Sequence, residues 1–231
     1  MKKILLFTLI SLLGAGALPA QNYVTEEQKD AFVDFLYDVK SCNIRNVKAA
    51  IDSGQPINMN TADQEYNPPL VIAIKNDCLD TAVLLYTNGA RPNFPNRKDK
   101  ISALNLVMER SRTGSSPDWT DMAVWFLEDN GLPNFTNKDG EHSLIIATKK
   151  GHPYYVKILL ESGEVSLDKQ DNNGMNALMW AAAVNDTEIM EMLLNAGASV
   201  KKRNIDGQTA MDIANYYRYT QAQNLLKKFT D

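Results

Sequence analysis

Glycine recurs along this chain at a nearly fixed distance. Gly140, Gly174 and Gly207 each open a similar phrase, with spacings of 34 and 33 residues. The phrases read GEHSLIIATKKGHPYYVKILLESG, GMNALMWAAAVNDTEIMEMLLNAG and GQTAMDIANYYRYTQAQNLLKKF. A second series, Gly54, Gly89, Gly131, Gly163 and Gly197, closes each phrase at intervals of 35, 42, 32 and 34. Periods in this range mean stacked supersecondary units that bury their apolar faces against one another.

Each unit holds two short apolar stretches. From Met175 to Val200, positions Leu178, Ala181 and Ala182 fall at i, i+3 and i+4, one face of a helix. Asn185-Asp186-Thr187 then interrupts, and Asp186 or Thr187 is suited to cap a second helix. Glu188 belongs in a first turn. Ile189, Met192 and Leu193 form the next stripe, and Gly197 follows where a left-handed residue ends a helix. The segment therefore predicts two antiparallel helices. Each is too short to persist alone, so neighbours must supply the cover.

Lys149–Gly163, KKGHPYYVKILLESG, resembles the second half of the ankyrin repeat. Gly207–Ala214, GQTAMDIA, and Asn67–Ile74, NPPLVIAI, resemble its first half. The resemblance implies an all-α ankyrin-repeat solenoid of stacked antiparallel helix pairs with projecting β-hairpin-like loops. Six repeats are expected, over 25–60, 61–94, 95–135, 136–168, 169–201 and 202–231, together a domain over 21–231. The first and last depart from the pattern as capping repeats should. The first carries Phe32, Phe35 and Leu36 on its apolar face, and the last stops without a closing glycine. The third is longer between its helices, and the inserted loop is placed at 111–118. Polar, turn-rich loops such as GARPNFPNRKD and GASVKKRNIDG favour this family over simpler helical-pair solenoids.

Residues 1–20 are of another kind. Lys2 and Lys3 precede an apolar run from Ile4 to Leu13 and small residues ending in ALPA, the three-part pattern of a secretory signal peptide. The alternatives are an uncleaved anchor and a buried helix. The run is short for a membrane span, which needs roughly 20 residues. Cleavage after Ala20 would place the mature protein in the periplasm or outside the cell, with no membrane span left. The Lys-Lys start and compact leader resemble bacterial ones, which discounts the glycosylation matches at Asn134 and Asn185.

The net charge is -4 and no long basic run occurs, so nucleic acid is not an expected partner. No phosphate-cradling loop, nucleophile elbow or metal-spaced ligand cluster appears, and neither enzyme activity nor a cofactor is expected. His142 and His152 read as hydrogen-bonding residues of turns, and Trp180 as core. Trp119 or Trp125 is placed to hold the inserted loop. Asp139, Asp171 and Asp206, near the repeat glycines, read as turn and cap residues.

Two residue sets remain as candidates. Cys42 and Cys78 fall in near-equivalent inter-helix turns of adjacent repeats, which leaves open one disulfide or two separately buried thiols. The resemblance also implies a partner protein gripped by the finger loops and the ends of the first helices. Carried onto this chain, those ends supply Lys75, Arg110, Lys149, Lys150, Val184, Tyr216 and Tyr217, with Tyr219 beside them. The basic triplet Lys201-Lys202-Arg203 occupies a finger and reads either as a solvated loop or as a contact for an acidic patch on a protein. The expected function is an exported protein-interaction module. The alternatives are a structural or scaffolding part of an envelope complex and an inhibitor or immunity-type protein.

Overall fold

The computed structural model describes residues 26–58, 67–92, 100–110, 118–129 and 133–229. The leader at 1–20 and nearly all of the inserted loop at 111–118 lie outside these residues; only Asp118 of that loop falls within them. The described residues form helices, turns and bends, with no strand among them. Twelve helices occur in six antiparallel pairs among these residues. The chain divides into two compact units, Met1–Lys98 and Asp99–Asp231.

The N-terminal unit holds α1 (Glu26–Lys40), α2 (Ile44–Asp52), α3 (Pro69–Lys75) and α4 (Leu79–Thr87). Helix α1 packs on α3 and α2 on α4, so first helices meet first helices and second meet second. Phe32, Phe35 and Val39 of α1 are buried with Leu70, Val71 and Ile74 of α3, while Leu36 is half-buried. Cys42 and Cys78 are disulfide-bonded, with their Cα atoms 5.1 Å apart. The two are offset by one position: Cys42 is itself the left-handed residue of its turn, whereas Cys78 follows the left-handed Asp77. That offset brings the Cα atoms within disulfide range.

The C-terminal unit holds α5 (Ala103–Val107), α6 (Trp119–Glu128), α7 (Ser143–Lys149), α8 (Pro153–Glu161), α9 (Ala177–Val184), α10 (Thr187–Asn195), α11 (Ala210–Tyr216) and α12 (Thr220–Lys227). First helices α5, α7, α9 and α11 stack in series, as do second helices α6, α8, α10 and α12. Met175–Val200 is thus two helices. Asn185, at φ 56, reverses the chain, and the Asp186 side chain accepts from Ile189 N–H to cap α10. Leu178, Ala181 and Ala182 are fully buried, and the small alanines let α9 lie close against α7 and α11. On α10 the buried residues are Ile189, Met190, Leu193 and Leu194. Met190 takes the place expected of Met192, which is only half-buried. A helix of two turns touches both its pair-mate and its neighbours, so its buried face is wider than a single stripe.

The finger loops are closed by one device used three times. Asn137 N–H donates to Glu141 C=O, Asp171 N–H to Met175 C=O, and Asn204 N–H to Gln208 C=O, all at 2.9 Å. In each loop the Oδ1 of the same Asn or Asp accepts from the N–H groups two and four residues ahead. Successive fingers are tied by Asn172 N–H to Asp139 C=O at 3.0 Å and Ile205 N–H to Asn173 C=O at 3.2 Å. With the bonds from Asn172 Nδ2 to Lys138 C=O and from Gln170 Nε2 to Arg203 C=O, these stack the turns edge to edge, and no strand forms among the described residues. The role expected of Asp139 and Asp206 belongs instead to Asn137 and Asn204; Asp139 and Asp206 contribute backbone N–H groups to those turns.

Gly174 and Gly207 sit at equivalent points, with φ of 71 and 76. A Cβ on Gly174 would stand 2.7 Å from Ile205 N, inside the next finger, whereas at Gly207 nothing lies within 4 Å. Both positions penalise L-residues in the left-handed region by about 1–2 kcal/mol. Gly174→Ala is therefore expected to destabilise more than Gly207→Ala. Equal urea midpoints for the two variants would show that the fingers are not packed this closely. Leu193 is 0% exposed, and Leu193→Ala should cost about 2–5 kcal/mol in urea unfolding; a loss well below that range would mean α10 does not carry the core.

Candidate functional site

The candidate residues stand at the ends of the first helices because the turn after each helix is built alike. A left-handed residue reverses the chain: Asp77 (φ 61), Gly151 (φ 64), Asn185 (φ 56) and Arg218 (φ 59). The two residues before it stand at the helix end, and at least one of each pair is exposed. They are Lys75-Asn76, Lys149-Lys150, Ala183-Val184 and Tyr216-Tyr217. Lys75 is half-buried and lies in the N-terminal unit, so it is described apart from the others. Arg110 is half-buried, with its guanidinium 5.7 Å from the centre of the Trp119 ring, which is itself 3% exposed.

Lys149, Lys150 and Val184 come together along one shallow open cleft, whose other wall is Asn185, Asp186 and Glu188. One rim is cationic and the other anionic. Val184 is 49% exposed between them. At the next repeat, Tyr216 is 74% and Tyr217 51% exposed. Their rings meet edge to face at 5.0 Å, and Tyr217 stacks on Tyr219 at 5.5 Å. The three rings brace each other, so their apolar faces are held at the surface with little rotamer freedom left to lose on binding.

Trp180 was expected in the core and is instead half-buried. Ile146 and Ile213 occupy its position in the flanking repeats at 3% and 5% exposure. An indole is too large for that space and extends toward the surface. There its Nε1 donates to Asp171 Oδ2 at 2.8 Å, and Lys149 Nζ lies 4.3 Å from its ring centre. Lys149 also hydrogen-bonds to Glu141. Burial raises the Glu141 carboxyl, but the hydrogen bonds from Lys149 and Asn137 and the charges of Lys149 and Lys150 outweigh it, leaving the group below the ordinary carboxylate value. Glu141 and Trp180 therefore orient Lys149. Their part was hidden in the sequence because Glu141 is eight residues and Trp180 a full repeat away from it.

Neither histidine sits among metal ligands. Among the described residues no group of three or more His, Cys, Asp or Glu is arranged to hold a metal ion. His152 is held by the backbone carbonyl of Glu109 and meets Tyr155 edge-on at 5.6 Å. His142 is fully buried, with Nε2 3.1 Å from the carbonyl of Ser166. Burial and the charge of Lys169 oppose its protonation, the Ser166 bond favours it, and the balance lowers its pKa to about 4. Asn134, one of the two glycosylation matches, spends its side chain on the backbone of Glu164 and Ser166. The triplet Lys201-Lys202-Arg203 is exposed. No helix among the described residues is long and apolar enough to cross a membrane.

The family model for ankyrin repeats matches residues 118–204 and 170–230. The chain is similar to the mouse (Mus musculus) ankyrin repeat and SAM domain-containing protein 6, at 40% identity over 87 residues, 37% of this chain and 10% of that protein. It is similar to mouse M-phase phosphoprotein 8 at 34% identity over 87 residues, 37% of this chain and 9% of that protein. The chain thus spans about a tenth of the length of these curated relatives. Among solved structures, a crystallised ankyrin repeat protein superposes with a TM-score of 0.73 at 28% identity, covering 85% of this chain and 97% of the other. An ankyrin repeat domain from Acinetobacter baumannii AYE gives 0.73 at 22% identity, covering 84% and 96%, a likeness of fold.

The buried His142 makes stability depend on pH. Its pKa is lowered from the ordinary 6.5 to about 4 in the fold, so the unfolded chain takes up the proton first. Stability is then complete above about pH 6.5 and falls by about 1.4 kcal/mol per pH unit down to about pH 4. His142→Asn, which keeps a donor for the Ser166 carbonyl, should flatten that slope in urea unfolding. An unchanged slope would assign it to other groups.

Proposed function

This chain carries ankyrin repeats and has their fold, and we propose that it is exported and grips a partner protein at the first-helix ends of its C-terminal unit. Ankyrin repeats are protein-interaction modules, and this fold is typically non-catalytic. The exposed tyrosines carry the finer reading: Tyr216 and Tyr217 present apolar faces at equivalent helix ends one repeat beyond the Lys149–Val184 cleft. Aromatic side chains with a polar tip are enriched at the centres of interfaces, and charged rims steer the approach. The mechanism is complementarity on a preformed surface, and no bond is made or broken. The alternating cleft, with Lys149 and Lys150 facing Asp186 and Glu188, suits a partner segment that carries both signs of charge.

Two features support export. Residues 1–20 follow the signal-peptide pattern, and the Cys42–Cys78 pairing suits an oxidising compartment. The proposed location is the periplasm or the exterior of the cell. Pull-down from the source cells separates the roles open to such a module. One stoichiometric partner fits a dedicated binder, of which an inhibitor would be a special case. Broad association with envelope proteins would favour a scaffold.

Tyr217→Asp is the direct test of the surface. The residue is already 51% exposed, so stability should change by no more than about 0.5–1 kcal/mol. Affinity for the captured partner should fall about tenfold or more, equal to about 1.4 kcal/mol, by calorimetry or surface plasmon resonance. Unchanged affinity would remove Tyr217 from the interface, and large unfolding would make it a core residue.

A further inference from the structure

The Cys42–Cys78 bond joins two repeats at their inter-helix turns. Cys42 is the left-handed residue of the α1–α2 turn, and Cys78 is the N-cap of α4. The bond therefore fastens the first helix pair onto the second. The first pair has modest cover of its own. Helix α2 buries only Val47, and Ile44 at its start remains 44% exposed. Helix α10, of equal length, buries four residues. On α1, Phe32, Phe35 and Val39 are buried, and Leu36, Ala50 and Ile51 of the pair are half-buried. Beyond α2, Asn58 adds a clamp, with Nδ2 donating to Gly89 C=O and Oδ1 accepting from Arg91 N–H, both at 2.8 Å.

The two sulfurs differ in access. Cys42 is exposed, whereas Cys78 is 3% exposed at the N-terminal end of α4. Cys42 is therefore the side of the bond open to an attacking thiolate. Attack there leaves the electron pair on Cys78, where the N-terminal end of α4 favours negative charge while burial opposes it.

We propose that this bond is an exchangeable staple, and that reducing it frees helices α1 and α2 from α3 and α4 while the C-terminal unit stays folded. The step balances with a dithiol reductant. Its first thiolate attacks the Sγ of Cys42, the S–S bond breaks, and the electron pair leaves on the Sγ of Cys78. Its second thiolate attacks the mixed disulfide and releases Cys42. The reductant ends as a disulfide, two electrons pass to the protein, and the two cysteine sulfurs take up the two protons the reductant lost. Undocking uncovers Phe32 and Phe35 on one side and Leu70 and Ile74 on the other. The first repeat would then be docked in an oxidising compartment and loose in a reducing one, independently of any partner.

Hydrogen exchange with mass spectrometry on the full chain tests this, with and without dithiothreitol and without denaturant. A Cys42→Ser/Cys78→Ser double variant serves as the permanently unbonded form. Expected are two free thiols after reduction and about tenfold or faster exchange in residues 26–52, as for local opening of one cooperative segment. Residues 143–227 should keep their protection in both reduced and double-variant protein. Unchanged protection of 26–52 would show the bond to be redundant. Loss of protection along the whole chain at once would make it a global stabiliser. Failure to release thiols under native conditions would mean the bond is not exchangeable. Each of these results overturns the proposal.

Discussion

Short helices that cannot cover themselves are the constraint on which the rest of this structure depends. Helices of five to ten residues fill the C-terminal unit, lengths at which an isolated helix does not persist in water. Each has its apolar residues spent on neighbours. Leu178, Ala181 and Ala182 of α9 are closed by α7 on one side and α11 on the other. Removing cover from one repeat exposes the next, so stability runs along the series as a chain of nearest-neighbour terms. Polar work follows the same logic. Asn137, Asp171 and Asn204 satisfy their own finger turns, and the first two of these fingers each receive a backbone N–H from the one after.

Because that packing uses up the inner faces, the proposed recognition falls to side chains that the turns leave outside. The left-handed residues Gly151, Asn185 and Arg218 set the geometry, and the pairs before them carry the chemistry. Lys149 is directed by Glu141 and by the Trp180 ring, so it is less a free surface lysine than a positioned charge. The tyrosine cluster is braced in the same sense. A surface of this kind presents side chains already held in place, which lowers the ordering cost of binding.

The helix pairs were legible in the sequence because the i, i+3, i+4 spacing of Leu178, Ala181 and Ala182 and the Asp186 cap are local signals. The ladder of helix-end residues was legible for the same reason, since it is fixed by register against the glycines. What escaped was set by size and by distant contacts. Met190 replaces Met192 because a two-turn helix meets more than one neighbour. Trp180 leaves the core because its site fits an isoleucine. The finger-turn residue is Asn137 or Asn204, with Asp139 and Asp206 two places on, because hydrogen-bond register decides it and residue type does not. Nothing in the spacing of Lys149 named Glu141 or Trp180 as its partners.

The central claim is that the first-helix ends of the C-terminal unit are the gripping surface. Site-specific photocrosslinking in the source cells, followed by mass spectrometry, tests it most directly. A photoreactive residue in place of Tyr216 or Val184 should yield adducts with one and the same protein, and one in place of Glu191, exposed on the second helix α10, should yield none with it. Adducts confined to position 191, or unrelated proteins at 184 and 216, would contradict the account.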